Sequence, residues 1–534
     1  MIRDLLAADA PVARDADVVV IGAGIAGLVA AQRLRRAGRR VLILESGAEQ
    51  QPGEEHELNA VELEGDPYLG AAAGRFRCLG GTSTRWGGAM LPFQPIDMAE
   101  DPPGWGIDWP LRLDALAPYQ DEVEQLFSLP GGPFDDPDFG GVEHGDFLAR
   151  RAKWPAFARR NVAALLARMV REDDGLEIWL NATMTGCALG PGGRAEAITA
   201  RAPNGRELTA RAPHFLLAAG AIETTRLLLL VDRAHDNRLF APDDVLGRYF
   251  HDHLSAHSAD FHAERLGALD ALTGFQFVRG GMRNLRFEPA PDLRRREHIP
   301  GGIATVVFGS TRPSGFDALR DIYRASQRRA LPAGKDLALL ARSSPWLARA
   351  AWTRFVGGRL LAPPGAEFML NVVVEQHPHR DNRISLSETR TDRDGLPLAK
   401  IAWRVRDEDV ANHAKLFGLF RDYWANAGFT RVAALEARPP EQVRQQLVEG
   451  GGVFHPGGTA RMGTDPRTSV VDADLRAHKI PNLTVASTAA FPTGGGANPT
   501  YMLMLFALRA AERIVLEQAR VSGLRTPLSP GAAA

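Results

Sequence analysis

Cysteine is almost missing from this chain. Only Cys78 and Cys187 occur in 534 residues, and they lie far apart. That excludes a disulfide framework and argues against a thiolate metal site, and it fits a reducing compartment. Net charge is missing too: 63 Lys and Arg balance 64 Asp and Glu to a formal −1. No general electrostatic attraction to nucleic acid follows from such a balance. No run approaches the ~18 apolar residues of a membrane span. The opening MIRDLLAADAPVARDADVVVIGAG shows neither a basic stretch leading into an apolar region nor a twin arginine. No export signal is expected, and the cytoplasm is the default location. Internal repeats are absent, and the Pro and Gly residues are scattered rather than gathered in one linker. What remains is ordinary globular material, 45% hydrophobic and 24% charged, at a length that calls for two large domains.

The clearest feature present is near the start. Asp17-Val18-Val19-Val20-Ile21 reads as a buried strand, followed at once by Gly22-Ala23-Gly24-Ile25-Ala26-Gly27 and a helical stretch ending at Gly38. A second strand, Val41-Leu42-Ile43-Leu44, ends in Glu45. Glycines at 22, 24 and 27 permit a tight turn, close approach of backbone to a pyrophosphate, and close helix–strand packing. The helix start then offers free N–H groups and a positive dipole end to phosphate. Glu45 stands where a carboxylate accepts from a ribose diol. The unit binds a dinucleotide, and FAD and NAD share it.

Further along, residues 176 to 218 read as short strands with glycine turns, and 366 to 405 as another β-rich region. The stretch 317 to 361 reads as helices and is basic, with nine Arg or Lys against three Asp. The C-terminal part returns to apolar strand (Leu483 to Ala486), loop and long helix. A second glycine-rich segment, Arg77-Cys78-Leu79-Gly80-Gly81-Thr82-Ser83-Thr84-Arg85-Trp86-Gly87-Gly88, has the composition to wrap a pyrophosphate and run along a flavin.

These segments together resemble the glucose–methanol–choline (GMC) oxidoreductase family. The resemblance is carried by the 22–27 turn, by Gly80 to Gly88, and by Leu217-Ala218-Ala219-Gly220-Ala221-Ile222-Glu223-Thr224-Thr225-Arg226-Leu227-Leu228. It continues through Gly247-Arg248-Tyr249-Phe250-His251-Asp252-His253, His455-Pro456-Gly457-Gly458-Thr459 and Gly496-Ala497-Asn498-Pro499-Thr500. The matches run in order over nearly the whole chain. They imply a Rossmann-like α/β FAD-binding domain, discontinuous over 1–100, 170–255 and 446–534. A substrate-binding domain over 101–169 and 256–445 would carry an antiparallel or mixed six-stranded sheet. The implied cofactor contacts are Gly22, Gly24, Ile25, Ala26 and Gly27, then Glu45 and Ser46, then Gly81, Thr82, Ser83, Trp86, Gly87 and Gly88. Ala219, Gly220, Ser487, Pro499 and Thr500 complete them. Asn498 and the Ser-Thr-Arg-Trp segment resemble the sugar-oxidising branch that includes pyranose oxidase. A histidine in that segment tethers FAD covalently there; Arg85 cannot, so non-covalent FAD is expected.

Taking a hydride from an alcohol carbon requires removal of the hydroxyl proton, for which an imidazole with a pKa near working pH is suited. His455, between Phe454 and a Pro-Gly-Gly turn, is the expected base; the alternative is a histidine that merely caps the turn. Asn498 is the expected partner, although an Asn before Pro499 also suits a helix N-cap. Gln376, Val453 and Phe454 are expected to face substrate. His377 and His379 read as a surface turn, His251 and His253 as structural neighbours of the site, and no metal site is expected.

The expected reaction is therefore FAD-dependent oxidation of a CH–OH group on a sugar-like or polyol substrate, with oxygen, a quinone or a redox protein as acceptor. A non-sugar alcohol dehydrogenase or oxidase, an NAD-dependent dehydrogenase and a non-redox lyase on the same fold are the alternatives. In 317–361, Arg320, Arg324, Arg328, Arg329, Arg342, Arg349, Arg354 and Arg359 are interspersed with Trp346, Trp352 and Phe355. The plain reading is solvated arginines over a packed aromatic face. The sharper one is a docking surface for a membrane or a redox partner.

Overall fold

The computed structural model describes residues 1–141, 145–263, 266–278, 280–310, 312–327, 331–450, 452–496 and 498–521. Arg328 and Arg329 of the basic stretch, Ala497, and positions 522–534 of the FAD-domain assignment lie outside the described residues.

The apolar runs read from the sequence become the centre of a six-stranded, all-parallel sheet. Its order is Ile2–Asp4, Leu176–Leu180, Val41–Leu44, Val18–Ile21, His214–Leu217, Leu483–Val485. Val18–Ile21 and Val41–Leu44 are buried along their whole length, as strands covered on both faces must be. The helices Ile25–Arg36 and Thr500–Val521 pack together against this layer. Full burial of each Val or Leu here contributes about 1.5–3 kcal/mol. A four-stranded sheet (Val12–Asp15, Glu207–Arg211, Ala195–Arg201, Thr183–Leu189) flanks it.

The second layer is a seven-stranded sheet. Six strands follow the order Gln276–Val278, Gly281–Pro289, Gly302–Gly309, Glu367–Glu375, His253–His262, Ala434–Ala437, and Phe147–Trp154 adds a seventh on Gly281–Pro289. Every pairing in it is antiparallel. The seventh strand accounts for the difference from the expected six: its alternation is masked by the buried cations Arg150, Arg151 and Lys153. Segment 101–169 divides its packing. Phe147 to Trp154 joins this sheet, whereas Leu116, Tyr119, Val123, Phe127, Val162 and Leu166 pack into the nucleotide-domain core. Residues Val61–Gly65 cross the other way, pairing in parallel with Pro397–Trp403.

Alternation along the seven-stranded sheet sorts its faces. Leu254, Ala256, Leu285, Phe287, Ala304, Leu370, Val372 and Val374 face one core with Phe420 and Trp424 of the helix Asp407–Asn426. The intervening residues, among them His253, Ser255, Asn284, Arg286, Thr305, Asn371 and Glu375, take the opposite face. The basic stretch forms three helices, Gly315–Gln327, Gly334–Arg342 and Ser344–Phe355.

At Gly27 a Cβ would lie 2.0 Å from the Gly22 carbonyl oxygen, so a side chain there forces backbone apart. Gly27→Ala is expected to cost about 1–3 kcal/mol or more, read as a lowered midpoint in thermal unfolding of the apoprotein.

Candidate active site

The antiparallel register sets the site. His253, first residue of its strand, pairs with Glu375, last residue of the neighbouring one. The Glu375 carboxylate accepts from Gly495 N–H (2.8 Å) and Gly301 N–H (3.2 Å), which holds the glycine loop before Asn498 against the sheet end. Burial pushes the Glu375 carboxyl up to about 7. Gly495 has φ +66, and a Cβ on it would meet the Phe93 ring at 2.6 Å. The loop fits only as glycine.

A directed chain of hydrogen bonds crosses this point. His253 Nε2 lies 2.7 Å from the Gly495 carbonyl oxygen, which can only accept, so Nε2 carries the proton. In the neutral ring Nδ1 is then an acceptor. His455 Nδ1, 3.2 Å away, must donate to it. His455 is thereby fixed as the Nδ1–H tautomer with an unprotonated Nε2. From the other side, Arg286 Nη1 donates to Asn498 Oδ1 at 2.8 Å. Because a guanidinium has no acceptor, this fixes the amide orientation. Asn498 Nδ2 then donates to His455 Nε2 at 3.0 Å. Both candidates from the sequence meet here. Asn498 does not cap the following helix with its side chain; Arg286 and His455 engage that amide instead.

The electrostatics favour a neutral imidazole at His455. Burial, then His253, then Arg286 hold the His455 pKa well below 6.5. Burial also lowers His253, and burial draws Arg286 down to about 10. Arg286 Nε is buried without a partner among the described residues.

The loop bearing His455 hangs from Asp252. This buried carboxylate accepts from Tyr68 OH (2.7 Å), His253 N–H (2.6 Å), Val453 N–H (3.2 Å) and His455 N–H (3.0 Å). Burial nonetheless pushes its carboxyl up to about 6. Phe454 has φ +65, and its half-exposed ring covers Gly70 and Gly74. His251 is buried behind the Pro-Gly-Gly turn: a Cβ on Gly457 would sit 2.7 Å from its Nε2. It packs against that turn, with Gly457 bridged to its backbone.

The nucleotide cradle lies at the carboxyl ends of the parallel strands. Gly22 adopts φ +102 beneath the Ala218 carbonyl, and Gly24 opens the helix Ile25–Arg36 with no side-chain cap. A Cβ on Gly24 would meet nothing within 4 Å. The second glycine segment folds over the first: Gly80 N–H donates to Ala23 O at 2.9 Å, and a Cβ on Gly81 would meet Gly24 Cα at 2.9 Å. Glu45 accepts from Ala23 N–H (2.8 Å) and Gly47 N–H (2.9 Å). Gly220, φ +74, starts a second uncapped helix, Ala221–Ala234.

Residues 378–507 match the GMC oxidoreductase C-terminal family model, and residues 20–53 match the NAD(P)-binding Rossmann-like domain. The chain is 27% identical to paromamine 6'-oxidase of Streptomyces fradiae over 93% of its own length and 91% of that protein. It is 24% identical to 2-methyl-1,2-propanediol dehydrogenase of Mycolicibacterium austroafricanum, over 93% and 95%. Among solved structures, pyridoxine 4-oxidase from Mesorbium loti superposes with a TM-score of 0.58 at 17% identity, covering 93% of this chain and 98% of that one. In its C-terminal part the chain is similar to the GMC oxidoreductases. The chain is an enzyme acting on CH–OH donors, and its cofactor is FAD.

The cradle of the oxidoreductase fits that cofactor. The uncapped helix start and the open space above Gly24 suit a diphosphate, flanked by Ile25, Ala26 and the folded-over Gly81 segment. Other expected contacts are placed differently. Ser83 Oγ is buried between Gly80 O (2.6 Å) and Val162 N (3.1 Å), and Ser487 Oγ accepts from Ala489 N–H (3.2 Å), so both hydroxyls are engaged by backbone. Trp86 Nε1 donates to Arg160 O at 2.8 Å. Thr82 is exposed, with Oγ near Phe76 N–H, and Ser46 Oγ accepts from Arg77. The expectation for Gln376 is corrected. Its amide is buried and engaged by Trp403 Nε1 (2.9 Å), Asp252 N–H (3.3 Å) and Arg404 O (3.0 Å), leaving no group for substrate. His377 stacks on Trp105 and faces Glu408 at 2.9 Å, and Arg406 contacts His379, a surface turn as read. Sequence reasoning missed Arg286, Asp252 and Glu375. The signal for Arg286 was the alternation Leu285-Arg286-Phe287-Glu288, a cation on the polar face of a strand.

Two outcomes are expected. Gly24→Ala should leave the apoprotein melting temperature within about 1 °C, since φ is ordinary and space is free, but should lower flavin retained per polypeptide. Arg286→Met removes the anchor of Asn498 and a positive neighbour of His455. It should reduce kcat/KM about 100-fold and move the acid limb of its pH profile upward. An unchanged limb would contradict the arrangement.

Proposed function

We propose that this chain oxidises a hydroxyl of a sugar-like or polyol substrate, with His455 as base and Asn498 as its partner. The observation carrying this is the unprotonated Nε2 of His455, turned to Asn498 by the directed hydrogen-bond chain. FAD, when bound, supplies the two-electron acceptor for the hydride leaving the alcohol carbon. A substrate hydroxyl entering between Asn498 Nδ2 and His455 Nε2 replaces their 3.0 Å contact. Its oxygen accepts from the amide, and its proton passes to Nε2. The imidazolium so formed keeps its Nδ1–H on His253, and its charge is opposed by Arg286 and by burial. The base therefore returns its proton readily at the end of the cycle. The start of the helix Thr500–Val521, with Pro499 and Thr500 beside the site, adds the positive end of a dipole.

A polyhydroxyl substrate is supported by the sheet face that carries Arg286. Ser255, Asn284, Thr305 and Asn371 share that face, and His257 Nδ1 and Arg286 Nε on it are buried without a protein partner. Such a surface rewards hydroxyls and disfavours a wholly apolar alcohol, since unmatched buried polar groups cost about 1–3 kcal/mol each. The name paromamine 6'-oxidase supports a sugar-bearing substrate, and the name 2-methyl-1,2-propanediol dehydrogenase favours a small diol as second reading. FAD is held non-covalently. At the tether position, the Arg85 guanidinium turns to the carbonyls of Gly53 (2.9 Å) and Pro52 (3.3 Å) and stacks on Phe76.

Anaerobic mixing with panels of sugars, glycosides, polyols and simple alcohols tests this reading. Bleaching of the flavin band by polyhydroxyl compounds is expected, with His455→Ala slowing it by about 10²–10⁴-fold and acid precipitation releasing all flavin. Bleaching only by monohydric apolar alcohols would overturn the substrate class. Reoxidation by oxygen against a quinone or a redox protein then identifies the acceptor.

A further inference from the structure

The helices Gly334–Arg342 and Ser344–Phe355 reverse the usual arrangement, in which a surface helix turns its apolar side inward. On Ser344–Phe355 the exposed residues Pro345, Ala348, Trp352 and Phe355 recur at helical spacing, while Trp346 alone is buried and donates to Ala362 O at 3.2 Å. Trp352 is 69% exposed, Phe355 81%, Val356 64% and Leu337 51%. Leu331 is almost wholly exposed as well. Large aromatic and aliphatic side chains this open to water, clustered on neighbouring helices, mark a contact surface rather than scattered surface apolarity.

Charge identifies what the surface meets. Residues 331–361 hold five cations, Lys335, Arg342, Arg349, Arg354 and Arg359, against one carboxylate, Asp336, in a chain whose total is −1. Lys335, Arg342 and Arg349 are exposed beside the apolar stripe. Arg354 holds its guanidinium 3.5 Å over the Phe277 ring and beside Phe355, a cation stacked on aromatic surface. Among the described residues no helix is long and apolar enough to cross a membrane.

We propose that these two helices dock on an anionic lipid surface. Trp352, Phe355, Val356 and Leu337 enter the headgroup boundary, and Lys335, Arg342 and Arg349 meet lipid phosphates. The combination of exposed Trp and Phe with flanking Arg and Lys is the chemistry of interfacial helices. A second copy on the same patch is disfavoured, because a two-fold contact would set five cations against five.

The test is cosedimentation of the FAD-loaded enzyme with phosphatidylcholine vesicles, neutral or containing about one-third phosphatidylglycerol. Binding to anionic vesicles should exceed that to neutral ones at least about tenfold and weaken as salt rises. Trp352→Ser/Phe355→Ser and Arg342→Glu/Arg349→Glu should each reduce it about tenfold or more. Flavin content and turnover of a water-soluble alcohol should stay unchanged, which separates lost docking from lost folding. Equal binding to both vesicle types, or insensitivity to both double variants, would overturn the proposal. So would a dimer in sedimentation equilibrium that Trp352→Ser/Phe355→Ser dissolves without any vesicle binding by the parent chain. So would a soluble cytochrome whose reduction slows in Arg342→Glu/Arg349→Glu while vesicles bind nothing.

Discussion

A backbone carbonyl can accept a hydrogen bond but never donate one, and a guanidinium can donate but never accept. The Gly495 carbonyl and Arg286 stand at opposite ends of the row His253, His455, Asn498. Each end forces one orientation on its neighbour, and the two constraints meet at His455 Nε2, which they leave unprotonated. Burial supplies the rest. Among the described residues no carboxylate hydrogen-bonds a ring nitrogen of His253 or His455, protonation of His455 would place a charge beside Arg286 in an enclosed site, and its pKa falls.

The two layers divide the work of holding that row. The antiparallel sheet provides His253, Arg286 and Glu375 from three different strands, on the face opposite its apolar core. Such positions are rigid because each strand is fixed by its own buried residues, Leu285 and Phe287 around Arg286 for example. The parallel-sheet domain provides His455 and Asn498 on loops that enter its last strand and last helix. Asp252 and Glu375 tie these loops to the sheet through backbone N–H groups. Two buried carboxylates thus act as brackets, and the reactive groups between them are all formally neutral except Arg286.

Much of this was legible in the sequence. The fully apolar runs Val18–Ile21 and Val41–Leu44 announced a parallel sheet, and the spacing of Gly22, Gly24 and Gly27 announced the tight turn, because backbone sterics decide it. His455 and Asn498 were legible only through their surrounding segments, since a histidine before Pro-Gly-Gly and an asparagine before proline each have a sufficient local explanation. Arg286 was hidden for a different reason. Its role depends on which face of a strand turns toward a loop more than 200 positions away, and periodicity assigns faces but not neighbours. Gln376 illustrates the converse. A polar residue after a buried strand invites a substrate role, but Trp403, Asp252 and Arg404 converge on it from distant segments and close it off. The strand Phe147–Trp154 escaped because its buried arginines and lysine resemble a solvated stretch until their partners Glu288, Asp136 and Glu124 are known.

The most direct measurement is the ¹⁵N spectrum of the imidazoles in uniformly ¹⁵N-histidine-labelled protein at neutral pH, with a His455→Asn sample to assign the resonances. The account predicts that His455 is a neutral ring with its proton on Nδ1 and an unprotonated Nε2, and that His253 is the opposite tautomer. An imidazolium at 455, or a proton on its Nε2, would contradict it.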